Sequence, residues 1–443
     1  MSNSPLLETT ESLGMVSSVA KNGHKELVIR PASFRRRLRR WLWHILARQF
    51  TLLCVMAVRI AGWVGRRRPV DRKGCEIMLT GRFDSDNWIL AHLGPLSASK
   101  KCSRVWMVST NPVPILPKVV AIYPPRWLMK VVGVTQARLL TFVWAATRKR
   151  PHIVGGFHIM VNGIVAIILG RLVGARSMYL CVGGPAEICD GGIHGVETVF
   201  VKMETADAIV ESRLLWIVAE SDIVITMGTR AVSFFRGKGI DTEFHVVSGG
   251  IDPIRFRPAE DPPSHDLIFT GRLAAVKRID ILLQAVKDIA NKIPSVKLLI
   301  IGEGNLHGDL RQLARDLDID HHVSFAGYLA DDDIVTWLRK SKVFVLTSDS
   351  EGLSLAMMEA MMCGLPAVVS DVGDLRDLVE DGVNGYLVPR RSPELFAARI
   401  IELLTDARRL EAFSKAARYS ALRYTTEAAT AKWDNIIEHY RIS

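Results

Sequence analysis

Two glutamates, Glu351 and Glu359, stand eight positions apart in SDSEGLSLAMMEAMMCGLPAVVS, residues 348–370, a stretch otherwise nearly all apolar or small. On a helix, the neighbours of position 359 are Leu355, Ala356, Met362 and Cys363, none of them polar. A helix apolar all round is a buried one, and an unpaired carboxylate inside it is costly. Glu359 is therefore expected to have a polar partner, which a ligand could supply, rather than to face water. Two cations lie upstream in GRLAAVKRID, where Arg272 and Lys277 follow an apolar run. Arg offers a planar fork and Lys a point charge, so the pair at the mouth of a sheet suits a phosphate or diphosphate. Taken alone, it fits an exposed basic loop equally well. Gly352 permits close backbone approach to a ligand, and a helix starting there aims free N–H groups at an anion. If the stretch is helical throughout, Glu359 lies roughly 12 Å beyond Glu351, a span comparable to a nucleotide sugar.

The elements that must position these residues show as an alternation of short apolar strands and helices. Strand-like runs fall at 75–81, 104–109, 118–124, 152–157, 177–184, 221–228 and 243–250. The pattern breaks at RFRPAEDPPSHD, residues 255–266, and restarts with runs at 266–273, 296–304, 322–329, 342–348, 366–371 and 385–388. β-Branched strands separated by helices imply parallel sheets covered on both faces. The expectation is an α/β chain of two doubly wound domains, 71–258 and 259–420. A last helix within 421–443 is expected to pack back on the first domain. Ligands of such sheets bind beyond the carboxyl ends of the strands, so the cleft between the domains is the expected site.

GRLAAVKRIDILLQA, IIGEGN, SFAGYL and the E-x7-E stretch running into GLPAVVSDVGDLRDLVEDGVNGYLV occur in that order. Together they resemble the C-terminal domain of family 4 retaining glycosyltransferases of the GT-B fold. HVVSGGIDPIRFRP, residues 245–258, resembles the end of their N-terminal domain. The resemblance covers about residues 220–390, is weaker over 75–220 and is absent before 70. It implies a nucleotide-sugar donor and no metal or other cofactor. By position it assigns Arg272 and Lys277 to the donor diphosphate and Glu351 to hydroxyls of the transferred sugar. Gly352, Leu353 and Ser354 then surround that sugar, and Glu359 takes the nucleotide ribose. His158, in VGGFHIMVNG, matches the location of a donor-contacting histidine, with a purely structural histidine as the alternative. Gly81, after the first strand, matches a donor-side loop. Fixed cations and helix-end dipoles act where charge develops as the sugar leaves. Within the same fold a phosphorylase or nucleotide-sugar epimerase is the alternative, and from another class a non-catalytic, glycosyltransferase-like membrane partner.

The sequence departs from the family pattern at several places. Gly249 stands where Asn is usual, Gly373-Asp374 where a Gly pair is common, Asp377 where Glu is usual, and Arg82 where a second Gly is usual. These positions bear on sugar and acceptor contacts more than on nucleotide contacts. Asp331-Asp332-Asp333 resembles a metal-binding DxD, but it directly precedes a helix, where aspartates cap free N–H groups and complement the dipole. Asp84 and Asp86 are expected to cap a helix in the same way.

The six cysteines form no CxxC pair and read as reduced core thiols, which favours a cytoplasmic setting. Between Arg30 and Arg68 there are eleven arginines and no Lys, Asp or Glu, so this segment alone accounts for the formal net charge of +11. Such concentration argues against a nucleic-acid-binding fold, whose basic face would be spread over the domain. Its longest uninterrupted apolar run, Leu52–Val58, falls far below the ~20 residues of a spanning helix. Arginine flanks with Trp41, Trp43 and Trp63 fit a helix lying in an anionic membrane interface over 30–70. Packing on the protein's own surface and a true span are the alternatives. Residues 1–29, polar and without periodicity, are expected to be disordered. PPRWLMKVVG, residues 124–133, reads as a membrane-touching loop or as an ordinary loop with a buried Trp. A peripheral enzyme on the cytosolic face of a membrane, acting on a lipid-linked or glycan acceptor, is the resulting expectation.

Overall fold

The structure, a computed structural model, describes residues 16–21, 24–29, 34–65, 74–83, 85–194 and 198–442. The expectation of disorder over 1–29 falls largely outside these residues. Within that range Val16–Lys21 and His24–Ile29 pair as an antiparallel hairpin, which the sequence reading did not include.

The first sheet contains β1 (Cys75–Thr80), β2 (Cys102–Val108), β3 (Val119–Ile122), β4 (Ile153–Phe157), β5 (Arg176–Cys181), β6 (Ile223–Thr226) and β7 (Phe244–Val246). All pairings are parallel, in the order β3-β2-β1-β4-β5-β6-β7. The second contains β8 (His265–Thr270), β9 (Leu298–Ile301), β10 (Val323–Gly327), β11 (Ser341–Leu346), β12 (Ala367–Ser370) and β13 (Gly385–Val388). Its order is β10-β9-β8-β11-β12-β13, again all parallel. In each sheet the order reverses beside the first strand, between β1 and β4 and between β8 and β11. Runs such as Leu298–Ile301 and Ile223–Thr226 are buried along their whole length, as strands covered on both faces must be.

The chain passes from the first core, which contains Val247, to the second, which contains Ile251 and Phe256. The crossing thus precedes the proline-rich stretch 255–266. It returns beside itself: Ile251 N donates to Tyr424 O, and Thr426 N to Ile251 O. The final helix (Thr426–Ile442) then buries Trp433, Ile436, Ile437 and Tyr440 in the first-domain core.

Helix α1 (Phe34–Val64) is continuous over 31 residues. One stripe, including Ala47, Thr51, Cys54, Val55 and Val58, is buried on the first domain. Asp207 fixes it there. Its fully buried carboxylate caps the helix Ala208–Ala219 by accepting from Ile209 N and Val210 N, and it also accepts from His44 Nδ1 at 2.6 Å and Arg48 Nε at 2.9 Å. The helix is long and apolar enough to cross a bilayer. In this structure the contacts of His44 and Arg48 with that buried carboxylate lay one stripe of the helix along the first domain and leave the opposite stripe exposed.

Candidate active site

The strand order explains why distant residues converge. Connections leave the central strand of each sheet in opposite directions, opening a crevice at their carboxyl ends. Gly81 follows β1 and His158 follows β4; Arg272 follows β8 and Glu351 follows β11. Four residues singled out from the sequence therefore occupy the two reversal points.

In the second domain, Lys277 Nζ lies 2.6 Å from Glu351 Oε1, with both side chains mostly buried. Ser348 Oγ donates to the same oxygen at 2.5 Å. Thr347 Oγ1 lies within hydrogen-bonding distance of the carbonyls of Lys277 and Arg278 and pins the two loops together. Arg272 is exposed, and its guanidinium makes no hydrogen bond or ion pair among the described residues, although its carbonyl accepts from Ala274 N at 3.0 Å. The two expected diphosphate cations thus differ: Lys277 is paired with Glu351, whereas the Arg272 side chain projects without a protein partner among the described residues.

The helix of the E-x7-E stretch begins at Leu355, not at Gly352. Ser354 is its N-cap, with Oγ accepting from Met357 N at 3.4 Å. Glu351 consequently sits on the preceding loop, and the rise expected of one continuous helix does not apply. A Cβ on Gly352 would lie 2.5 Å from Val182 O, so glycine here admits the first domain's backbone. Leu353 belongs to the second-domain core.

Glu359 lies inside that helix at 6% exposure. None of the described residues hydrogen-bonds to its carboxylate. Burial pushes its pKa up to about 8; Asp331 adds to the rise and Arg255 opposes it. The polar partner expected from the sequence is therefore not supplied by the described protein groups.

Asp331, Asp332 and Asp333 occupy the first turn of the helix Asp331–Arg339, complementing its dipole, but none caps it through a side-chain hydrogen bond. Asp331 instead reaches the other domain, accepting from Asn87 N at 2.6 Å. Arg255 joins the same junction, donating to Asn87 Oδ1 at 2.5 Å and Asp332 Oδ1 at 2.9 Å. The helix α2 (Asp86–Ala98) is capped by Ser85, with Asp86 in its first turn. Asp84 lies outside the described residues.

On the first-domain side, His158 Nδ1 lies 2.9 Å from Glu187 Oε1. The same carboxylate accepts from Ile159 N, Tyr179 Oη and Gly183 N at 2.8, 2.9 and 2.6 Å. Burial works to raise the Glu187 pKa, but His158 and the amides outweigh it and hold the carboxyl below its ordinary value. Glu187 was not singled out from the sequence. One signal was present: from Asn87 to Ala186 there is no Asp or Glu, and Glu187 ends that run just after a strand. Gly81 lies under an aromatic cluster; a Cβ there would meet the Phe83 ring at 2.4 Å, and Phe83 stacks on Trp88 at 4.4 Å. Its lack of a side chain serves ring packing.

Two departures from the family pattern acquire a role. Asp374 Oδ1 accepts from Arg230 N at 2.7 Å, and Asp377 Oδ2 accepts from Thr229 N at 2.6 Å. Both carboxylates cap, from the second domain, the first turn of the first-domain helix Thr229–Gly237. Burial raises the Asp374 pKa, and its Oδ2 atom is buried without a partner.

Among the described residues, the carboxylate groupings with ligand-like spacing are Cys189/Asp190/Glu211 and Asp318/Asp320/His321, neither of which includes Glu351 or Glu359. In the former, Glu211 is already engaged by Lys238 Nζ at 2.7 Å and Asp190 N at 2.6 Å.

Residues 251–420 match the family Glycosyl transferases group 1. The chain is 30% identical over 244 residues to a D-inositol 3-phosphate glycosyltransferase of Rhodococcus erythropolis, covering 51% of this chain and 54% of that protein. It is 29% identical over 218 residues to the sulfoquinovosyl transferase SQD2 of Arabidopsis thaliana, covering 48% of this chain and 41% of that protein. The chain thus spans about half the length of the curated relatives it matches. Among solved structures, a sucrose-phosphate synthase from Thermosynechococcus elongatus superposes with a TM-score of 0.68 at 18% identity, covering 82% of this chain and 98% of that one. Anabaena HepE, solved with UDP and glucose, gives a TM-score of 0.65 at 15% identity over 82% and 99%. The fold is GT-B.

Proposed function

We propose that this chain is a retaining glycosyltransferase of family 4 that moves a sugar from a nucleotide-sugar donor to a membrane-associated glycolipid or glycan-precursor acceptor. The observation that carries the reading is Glu359: a nearly buried carboxylate without a hydrogen-bond partner among the described residues, on the helix that directly follows the loop bearing Glu351. A ribose diol supplies two donors to such a group, and the amides at the start of its helix face an anion. Arg272 and Lys277 neutralise charge developing on the departing diphosphate. This assigns the charge-balancing role to side chains rather than to a metal ion. His158, whose Nδ1 is held by Glu187, contributes to the sugar end of the site from the opposite domain. The relatives named above act on inositol phosphate or transfer sulfoquinovose by their names, and the HepE structure holds UDP, which supports a nucleotide donor. The enzyme works at the cytosolic face of a membrane, with residues 30–68 contributing the contact.

A thermal-shift screen against UDP-, GDP- and ADP-sugars tests the donor. The donor that shifts the melting temperature is then expected to release nucleoside diphosphate in an acceptor-dependent manner, in the presence of EDTA. Conversion of the donor to its epimer, or phosphate-dependent sugar release, overturns the transferase reading in favour of the epimerase or phosphorylase.

A further inference from the structure

Helix α1 exposes a second apolar stripe opposite the one buried on the domain. Leu42, Leu46, Leu53, Ile60 and Trp63 lie along it, with Trp63 89% exposed. Helices α3 (Arg126–Val132) and α4 (Val134–Lys149) behave alike. No residue of α3 is buried, and Trp127, Val131 and Trp144 are 65%, 75% and 56% exposed. These helices share one side of the first sheet: α4 packs on α3 and on α5 (Ile164–Val173), and α5 packs on α1. The residues from Asn87 to Ala186 include twelve Lys or Arg and no Asp or Glu, and α1 adds seven Arg, again without an acid. The body of the protein is therefore not evenly neutral. On this side α3 and α4 contribute the exposed cations Arg126, Lys130, Arg148 and Lys149.

We propose that α1, α3 and α4 form one docking face for an anionic lipid bilayer, with α3–α4 as a contact in its own right beside α1. This extends the membrane reading of residues 30–68 and does not depend on the transferase chemistry. Exposed tryptophans among arginines and lysines suit the interface of a bilayer, where rings sit at headgroup level and cations meet lipid phosphates. A second copy of the chain is a poor occupant, because two faces that both lack carboxylates repel. On a bilayer the same charge is attractive.

Vesicle flotation of the full-length chain tests this without reference to turnover. The chain is expected to float with phosphatidylglycerol-containing vesicles, to stay unbound with phosphatidylcholine alone, and to release in high salt. Trp127→Ser combined with Val131→Ser and Trp144→Ser is expected to lower the bound fraction about tenfold, with circular dichroism unchanged because these side chains are exposed. Arg126→Ala with Lys130→Ala, which removes charge without altering packing, is expected to weaken binding severalfold at low salt. Unchanged flotation of both variants overturns the α3–α4 contact. Loss of a dimer in the tryptophan variant with flotation intact assigns the face to self-association and overturns it too.

Discussion

His158 Nδ1 and Glu187 Oε1 lie 2.9 Å apart, and the second oxygen of that carboxylate accepts Ile159 N at 2.8 Å. Glu187 thus sets both the ring orientation of His158 and the backbone that carries it. It also accepts Gly183 N, in a loop where a Cβ on the next residue, Gly184, would lie 3.5 Å from Glu351 O. One buried carboxylate therefore registers the first-domain histidine against the second-domain glutamate.

Glu187→Gln keeps the shape but adds a donor where acceptors are required, facing the His158 and amide N–H groups. The expected result is a folded protein with a 10–100-fold lower transfer rate, on the order seen for groups that orient a functional His. The pH–rate profile should also shift, since the imidazole loses its anionic partner. An unaltered rate and profile would assign Glu187 to structure alone.

Lys277 and Glu351 form a close pair at the carboxyl end of the second sheet. Removing one partner leaves the other mostly buried and uncompensated, which costs about 2–4 kcal/mol. Lys277→Ala should therefore lower both melting temperature and donor affinity. Glu351→Gln, which keeps hydrogen bonding, should abolish most turnover while the fold survives. Calorimetry with the donor and a turnover assay distinguish the two effects; full activity in Glu351→Gln sinks the site assignment.

Glu359 carries a pKa of about 8 against an ordinary 4.5. Between these values the native state holds a proton that the unfolded chain has lost, so stability falls as pH rises through this window and levels off above it. The loss is on the order of 3–5 kcal/mol. Glu359→Gln should flatten that dependence and melt higher than the parent at pH above 8. A ribose diol favours the ionised carboxylate, so nucleotide binding near neutral pH should release close to one proton. Titration calorimetry in buffers of different ionisation enthalpy measures it, and no proton release in the parent removes Glu359 from the ribose site.

Asp374 and Asp377 cap a helix across the domain boundary. Each lost cap costs about 1 kcal/mol. Asp374→Ala with Asp377→Ala should therefore loosen the closed arrangement without unfolding either domain. Faster amide exchange confined to Thr229–Ala231 and a larger radius of gyration in solution scattering are expected. Unchanged exchange there shows that other contacts hold the domains.

Strand positions, the two-domain alternation and the E-x7-E, Arg272 and Lys277 positions were legible because short continuous apolar runs and glycine-punctuated loops are local signals. Glu359 was the clearest case: its apolar helical neighbours alone implied a buried carboxylate. What the sequence could not carry was partnership across distance. Lys277 and Glu351 are 74 positions apart, His158 and Glu187 29, and Asp331 and Asn87 244. Only the parallel topology, by placing every functional loop at the same sheet edge, decides which charge meets which. The same holds for α1. Composition supplied its basic, apolar character, but the buried carboxylate of Asp207 decided which stripe it keeps and which it shows.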